Sequence, residues 1–248
     1  MTDKVVIITG GSRGIGRATA IAAAARGYRI CIGYASNQAA AKTVASAIEA
    51  KGGKVIAVKC DVAEESDILA LFRAADKLGP LYALVNNAAI VGPTSRVDEM
   101  SAERIQRMMA VNVTGSILCA REAVKRMSTR HGGKGGVIVN LSSVAAKLGS
   151  PNTYVDYASS KGAIDTFTIG LGYEVAAEGI RVAAIRPGLI DTDIHASGGE
   201  PDRAHRLASN VPMKRVGTAD EIANAIIWLM SEEASYVTSA ILDVSGGR

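Results

Sequence analysis

Residues 5–16 read VVIITGGSRGIG, and this stretch decides the fold. The apolar run at 5–8 predicts a short buried strand, and Gly10, Gly14 and Gly16 predict a tight turn after it. A helix is expected to begin near Gly14. The stretch therefore predicts a strand, a glycine turn and a helix in direct succession, the unit from which parallel α/β sheets are built.

The same alternation continues along the chain. Segments of helical period separate short apolar runs, which lie at residues 5–9, 29–33, 55–60, 81–86, 136–141, 181–185 and 241–244. Continuous apolar runs are typical of strands buried on both faces. We therefore predict an α/β fold, a single-domain Rossmann-type doubly wound parallel sheet with helices on both faces and right-handed crossovers. Ligands bind such sheets beyond the carboxyl ends of the strands.

Length and charge bound the class of protein. The chain has 248 residues, 48% of them hydrophobic, so we expect one domain over residues 1–248. The 28 basic and 24 acidic residues give a net charge of +4. The densest basic stretch, residues 121–134, carries no interleaved aromatic residues, and we expect a solvated face and no nucleic-acid partner. No run approaches the roughly 18 apolar residues of a membrane span, and no leader is visible. We expect a cytoplasmic protein without a membrane partner.

Cysteine and histidine usage argues against metal and hydrolase chemistry. Cys31, Cys60 and Cys119 lie in apolar runs and are expected in the core. Their spacing to one another and to the three histidines is not that of metal ligands, and a nucleophile elbow is missing. We predict no metal site. Trp228, on a helix predicted over residues 219–230, is also expected in the core.

The glycine turn has a chemical interpretation as well as a structural one. Gly10, Gly14 and Gly16 would let the backbone approach a pyrophosphate whose charge faces the helix N-terminus. The spacing differs from the common GxGxxG pattern, and an ordinary glycine turn is the alternative. The turn alone does not decide between them.

Tyr157 and Lys161 stand four residues apart in a helix-compatible segment and so share one helical face. A phenol needs its anion stabilised to exchange protons near pH 7. A cation roughly 4 Å away is worth about 4 kcal/mol at an effective dielectric of about 20, or some three pKa units. We therefore predict that Lys161 lowers the pKa of Tyr157.

Several motifs accompany this pair in a definite order. They are TGGSRGIG at residues 9–16, NNAA at 86–89, Asn112, Ser142 with Ser143, and RPG at 186–188. In that order they resemble the compact, single-domain form of the short-chain dehydrogenase/reductase family, from about residue 4 to residue 247. The resemblance implies an NAD(P)-dependent oxidoreductase acting on a carbonyl or secondary alcohol.

The resemblance also implies roles in the chemical step. Tyr157 would be the acid in reduction and the base in oxidation, and Lys161 would hold the nicotinamide ribose. Ser143 would hydrogen-bond the substrate oxygen, with Ser142 as its competitor, and Asn112 would hold a water linking Lys161 to solvent. Tyr154 is a rival phenol, but only Tyr157 has a lysine one turn later.

The cofactor site follows from the same resemblance. Asp61 would contact the adenine amino group, although a helix N-cap is the alternative for this residue. Ala89 stands where the family usually has glycine. The implied cofactor-binding residues are Gly10, Ser12, Arg13, Gly14, Ile15, Gly16, Ser36, Asn37, Asp61, Val62, Asn87, Ala88, Tyr157, Lys161, Pro187, Gly188, Ile190 and Thr192.

The segment after the second strand bears on cofactor choice. An acidic residue receives the ribose 2'-hydroxyl in NAD-selective sites, whereas cations serve NADP. Residues 34–37 read YASN, and Arg13 can supply a positive charge. NADP(H) is therefore favoured over NAD(H), with a solvated Arg13 and an NAD(H)-dependent sugar or alcohol dehydrogenase as the alternative.

Residues 191–212 interrupt the strand and helix rhythm and are rich in glycine, serine, aspartate and histidine. We expect a lid over the active site, and give His195 and His205 no catalytic role. The polar lid favours a polar small-molecule substrate. Ketoacyl reductases and sugar dehydrogenases are the nearest resemblances, which also imply a homotetramer. A dinucleotide-sensing binding protein is the alternative from another class.

Overall fold

The computed structural model describes residues 3–193 and 198–248, and within them one parallel sheet of seven strands forms the centre of the molecule. The strands are β1 (Val5–Ile8), β2 (Arg29–Tyr34), β3 (Val55–Lys59), β4 (Leu81–Asn86), β5 (Gly136–Leu141), β6 (Ile180–Pro187) and β7 (Ala240–Val244). The helices are α1 (Gly14–Ala25), α2 (Gln38–Glu49), α3 (Glu65–Asp76), α4 (Ala102–Met109), α5 (Gly115–Met127), α6 (Ala145–Leu148), α7 (Val155–Val175), α8 (Arg203–Arg206) and α9 (Ala219–Met230).

The sheet is covered on both faces, as the continuous apolar runs predict. Val6 and Ile8 of β1 belong to a core cluster with α1, α2 and α9, whereas Val5 and Ile7 belong to a second cluster with α3, α5 and the end of α7. All four side chains are fully buried. The predicted doubly wound α/β fold is confirmed.

The strand order is β3-β2-β1-β4-β5-β6-β7, so the chain reverses its direction of growth between β1 and β4. This topological switch point is where doubly wound sheets bind ligands. The motifs after β1, β4 and β5 therefore meet at one edge of the sheet.

The predicted bounds need small changes. β6 is longer than predicted, because its register with β7 continues to the pair Pro187 and Val244. The assignment of Trp228 to the core is wrong: the side chain is 39% exposed on α9, whose opposite face is buried. The three cysteines are buried as predicted. Among the described helices, none has the length and apolar character needed to cross a membrane.

Candidate active site

A cavity of about 470 Å³ opens at the carboxyl ends of the strands. That volume is typical of small-molecule sites. Nearly all of the predicted site residues line it, from the glycine turn through Tyr157 to Thr192. Of the predicted residues in the described part of the chain, Gly16 and Asn112 alone do not line it.

The glycine turn holds a conformation that favours glycine. Gly10 and Gly14 have φ values of +63° and +52°, in the left-handed region. Arg13 precedes α1 in extended conformation, and in the described structure its side chain makes no cap hydrogen bond to the first turn of this helix. Gly14 and Ile15, the first two residues of α1, line the cavity, so the start of this helix faces any anion bound there.

Gly16 is closely packed against the glycine turn and the loop after β4. A Cβ at this position would lie 2.4 Å from the carbonyl oxygen of Gly10 and 2.6 Å from Asn87 Nδ2. Asn87 Nδ2 donates to the carbonyls of Thr9 and Gly10 at 2.8 and 3.0 Å, and the Thr9 hydroxyl accepts from the N–H groups of Asn87 and Ala88. The loop after β4 is thus bonded to the glycine turn, which explains why NNAA follows β4.

The end of β2 forms the polar limit of the cavity. Ala35, Ser36 and Asn37 line it there, and Asn37 Oδ1 accepts a 2.9 Å bond from the N–H of Ala40 as the cap of α2. Arg13 lines the cavity from the glycine turn. The described residues at the end of β2 present hydroxyl and amide groups, and the carboxylate typical of NAD-selective sites is not among them.

Asp61 is held from two sides. Its Oδ1 accepts a 3.0 Å bond from the N–H of Ala63, and its Oδ2 lies 2.6 Å from Arg107 Nη2. Desolvation acts to raise its pKa, but the bond from Ala63 and the Arg107 guanidinium hold the pKa of Asp61 below its ordinary value. The cap alternative is wrong, because Glu64 occupies the N-cap position of α3. Arg107 lines the cavity beside Asp61.

Tyr157 lies on the first turn of α7, and it lines the cavity together with Ser143, two residues beyond β5. Burial raises the pKa of Tyr157, and the side chain of Ser143 acts to lower it. The prediction that Lys161 lowers this pKa is wrong for this structure. Lys161 Nζ lies 5.6 Å from the centroid of the tyrosine ring and donates a 2.6 Å bond to the carbonyl of Leu141.

Lys161 is nearly inaccessible, with 3% of its surface exposed. Burial lowers its pKa to about 8, and the charge of Asp165 one turn later acts to raise it. At neutral pH the lysine is therefore still largely protonated. The hydroxyl of Ser142 donates to the Lys161 carbonyl at 3.2 Å, so Ser142 supports α7 while Ser143 faces Tyr157.

Asn112 lies behind the cavity in a π-helical turn, Ala110–Thr114, between α4 and α5. Its Oδ1 accepts from the N–H of Ile90 at 2.9 Å, and its Nδ2 contacts the Ile90 carbonyl and the Ser160 hydroxyl at 3.0 and 3.1 Å. π-turns of this kind are frequent at functional sites. The side chain connects the loop after β4 to the residue beside Lys161.

The other end of the cavity is closed by backbone. Gly188 donates to the carbonyl of Val244 at 3.1 Å, and a Cβ on it would lie 2.8 Å from Ser245. Ile190 forms a parallel bridge with Gly217. A Cβ on Gly14 would meet Thr192 at 3.4 Å, so this segment reaches the start of α1.

Comparisons with known proteins agree with this geometry. A family model described as enoyl-(acyl carrier protein) reductase matches residues 10–248. The uncharacterized oxidoreductase YgfF of Escherichia coli is 54% identical over 98% of this chain and 99% of its own length. Glucose 1-dehydrogenase 2 of Bacillus subtilis is 39% identical over 100% and 95%.

Two solved structures are also similar. A blue fluorescent protein from a metagenomic library, in complex with NADPH, has a TM-score of 0.90 at 32% identity, covering 98% of this chain and 97% of that one. A short-chain dehydrogenase of Burkholderia cenocepacia, in complex with NADP, has a TM-score of 0.89 at 32% identity, covering 99% and 98%. The chain belongs to the short-chain dehydrogenase/reductase family. As a family member it is an oxidoreductase acting on CH–OH or carbonyl groups.

In this short-chain dehydrogenase/reductase, the segment after β6 is bonded to the cavity rim. Glu200 Oε1 accepts from the hydroxyls of Thr94 and Tyr154 at 2.7 and 2.8 Å. Arg203 stacks over the Tyr154 ring at 4.8 Å and lines the cavity. His205 is an exposed partner of Asp191, and His195 lies outside the described residues. The hydroxyl and the ring of Tyr154 are thus both in contact with the segment after β6.

Sequence reasoning missed three arginines near the site, Arg104, Arg107 and Arg203. Two of them pair with a residue that the fold brings close: Arg107 with Asp61, 46 positions earlier, and Arg104 with Asp156. Arg203 pairs with Glu200, three positions earlier. The sequence contains one local indication of the Arg104 pair: Asp156 is a carboxylate in the first turn of a helix and lies directly before Tyr157.

Proposed function

We propose that this protein is an NADP(H)-dependent oxidoreductase that transfers a hydride between nicotinamide and a carbonyl or secondary alcohol. The observation that supports the proposal most directly is that Tyr157 and Ser143 line the same cavity, where Ser143 acts on the pKa of Tyr157, with buried Lys161 one turn after the tyrosine. A proton donor and a second hydroxyl side by side can share one carbonyl oxygen.

The chemical roles follow from these contacts. The cofactor, when bound, supplies the hydride in reduction and accepts it in oxidation. The Tyr157 hydroxyl donates its proton to the substrate oxygen in reduction and accepts it back in oxidation. Ser143 hydrogen-bonds the same oxygen and stabilises charge developing there. Lys161, as an ammonium, would hold the nicotinamide ribose. Asn112 positions Lys161 through Ser160.

The site residues fit a dinucleotide. The left-handed glycines and the start of α1, which lines the cavity, suit a pyrophosphate. The cavity is also positive: within the described residues, five cationic side chains and two carboxylates line it. They are Arg13, Arg107, Lys161, Arg203 and Arg248 against Asp61 and Asp193. Such a balance attracts an anionic cofactor.

We propose that NADP(H) is preferred to NAD(H). Ser36 and Asn37 stand at the end of β2, where a carboxylate would repel a 2'-phosphate, and Arg13 lines the same cavity. The NADPH and NADP complexes of the two similar structures support the proposal. Arg13 is the residue assigned to the 2'-phosphate.

The substrate is proposed to be a polar carbonyl compound. Tyr154 and Arg203 form part of the cavity wall, and Glu200 ties both to the lid. The hydrogen bonds from Thr94 and Tyr154 hold the pKa of Glu200 to about 2, so this anchor stays charged at neutral pH. A polar, bonded lid suits a hydroxylated or acidic substrate better than an extended apolar one.

A tetramer is the proposed assembly. Among the described residues, exposed apolar side chains lie on the helices α4, α5 and α7, and others lie on α9, on the edge strand β7 and between them. We propose that each group forms a contact face. The second carries Trp228, Tyr236 and Leu242, which are 39%, 103% and 37% exposed. Self-association through two such faces gives a closed assembly of four chains.

A substrate panel tests the proposed reaction. Purified protein would be assayed for oxidation of NADPH, and in parallel of NADH, with ketones, ketoacyl thioesters, diketones and sugar-derived carbonyls. Turnover that is selective for NADPH and absent in Tyr157→Phe is the expected result. Tight NADPH binding without turnover of any carbonyl class would favour a dinucleotide-sensing role instead.

A further inference from the structure

A buried ion pair joins Arg104 of α4 to Asp156, the residue directly before Tyr157. Arg104 Nε lies 2.8 Å from Asp156 Oδ2, and its Nη2 lies 3.2 Å from Oδ1, so the guanidinium contacts both carboxylate oxygens. The two side chains are 17% and 4% exposed. Removing one partner of such a pair leaves an uncompensated buried charge.

The carboxylate of Asp156 caps the first turn of α7. Its Oδ1 accepts a 2.9 Å bond from the backbone N–H of Tyr157, the third residue of the helix. First-turn N–H groups lack partners within their own helix. The N-cap residue, Tyr154, makes no side-chain cap bond in the described structure. Asp156 therefore fills this role, at the helix end where the dipole favours negative charge.

The guanidinium of Arg104 is fixed from the other side. Arg104 Nη1 donates to the carbonyl of Pro93 at 2.7 Å. The backbone N–H of Arg104 donates to the hydroxyl of Ser101, the cap of α4. A Cβ at Gly92 would lie 2.8 Å from Arg104 Cζ. The loop after β4 therefore leaves room for the guanidinium and is bonded to it.

We propose that Arg104 and Asp156 are positioning residues, which hold the first turn of α7 so that the Tyr157 hydroxyl meets Ser143 and the substrate oxygen. The inference rests on the proposed role of Tyr157 as proton donor. Within the described residues, neither side chain lines the cavity, so both act through the tyrosine. A displacement of about 1 Å in a reacting group can lower a rate about 100-fold.

The test compares Arg104→Gln and Asp156→Asn with a matched ion pair elsewhere. Arg126 of α5 pairs with Asp76 of α3 through two hydrogen bonds, from Nε to Oδ1 at 2.8 Å and from Nη2 to Oδ2 at 3.0 Å. Arg126 does not line the described cavity. Arg126→Gln is therefore the control for loss of an ion pair as such. We measure kcat with saturating NADPH and carbonyl substrate, the Kd of NADPH by fluorescence titration, and Tm.

The expected results distinguish an effect on the position of Tyr157 from an effect on the stability of the fold. Arg104→Gln and Asp156→Asn should lower kcat by about tenfold or more, with the NADPH Kd within about twofold of wild type. Arg126→Gln should lower Tm while keeping kcat. Arg104→Lys keeps the positive charge but cannot contact both carboxylate oxygens of Asp156, so it should recover part of kcat. If Arg104→Gln does not fold, Arg104→Lys is measured in its place.

A double variant separates this inference from the proposed reaction. In a Tyr157→Phe background, Arg104→Gln should produce no further loss of turnover, because its effect passes through the tyrosine hydroxyl. Wild-type kcat in Arg104→Gln, or an equal fall in Arg126→Gln, would overturn the positioning role while leaving the reaction intact. Near-normal turnover in Tyr157→Phe alone would overturn the proposed reaction, and the inference with it.

Discussion

The ammonium of Lys161 lies 5.6 Å from the centre of the Tyr157 ring and donates its 2.6 Å hydrogen bond to the carbonyl of Leu141. One helical turn separates the two residues, yet burial, and not the cation, dominates the pKa of the tyrosine, which is raised. The lysine is the group that titrates near neutrality, because burial lowers its pKa to about 8. The pH dependence of the reaction should therefore report Lys161.

We expect kcat/KM for NADPH in carbonyl reduction to fall as pH rises through about 8, by about tenfold per unit above it. Reduction needs the protonated forms of Tyr157 and Lys161, and the tyrosine stays protonated in this range because its pKa is raised. Rates would be measured from pH 6 to 10, with circular dichroism confirming the fold. A constant rate to pH 10 would remove Lys161 from the mechanism.

The glycine turn and the strand alternation could be predicted from sequence because both are local patterns. Residues 81–86 and 136–141 were placed correctly, since apolar runs flanked by turns define buried strands. Trp228 was misplaced because helical period does not say whether a large aromatic side chain faces the core or another chain. Arg104 and Arg107 could not be predicted as residues near the site, because their partners, Asp156 and Asp61, are distant in sequence and are brought close only by the fold.

Arg13→Ala should raise the Kd of NADPH by about tenfold or more, and that of NADH by much less, because the proposed contact is to the 2'-phosphate. Arg17→Ala is the matched control. Arg17 lies on α1, the helix that Arg13 precedes; it is exposed and does not line the described cavity. Both Kd values follow from titration of nicotinamide fluorescence. Equal losses for the two cofactors would show that Arg13 does not read the phosphate.

Gly16→Ala should weaken NADPH binding by about tenfold, equivalent to about 1.4 kcal/mol. Its methyl group would lie 2.4 Å from the carbonyl oxygen of Gly10, so the glycine turn must shift. In Gly170→Ala, on α7, the added methyl meets nothing within 4 Å among the described residues, and binding should not change. Calorimetric titration of both variants with NADPH makes the comparison. Unchanged affinity in Gly16→Ala would argue against the packing role.

Trp228→Glu and Tyr173→Glu should each convert the proposed tetramer into dimers. The two residues lie on different exposed faces and are 39% and 77% exposed. A charge buried at a symmetric contact is repeated in every copy, and each face should fail separately. Sedimentation velocity gives the masses, and the double variant should be a monomer. A wild-type protein that is already monomeric at micromolar concentration would exclude the assembly.

The central claim is that Tyr157 passes a proton to the substrate oxygen. The most direct measurement is single-turnover oxidation of bound NADPH by Tyr157→Phe, with a carbonyl substrate identified on the wild-type protein and the Kd of NADPH determined in parallel. We predict a rate at least about 1000-fold below wild type with an NADPH Kd within about twofold, because only the hydroxyl is removed. A near-normal rate in this variant would contradict the mechanism.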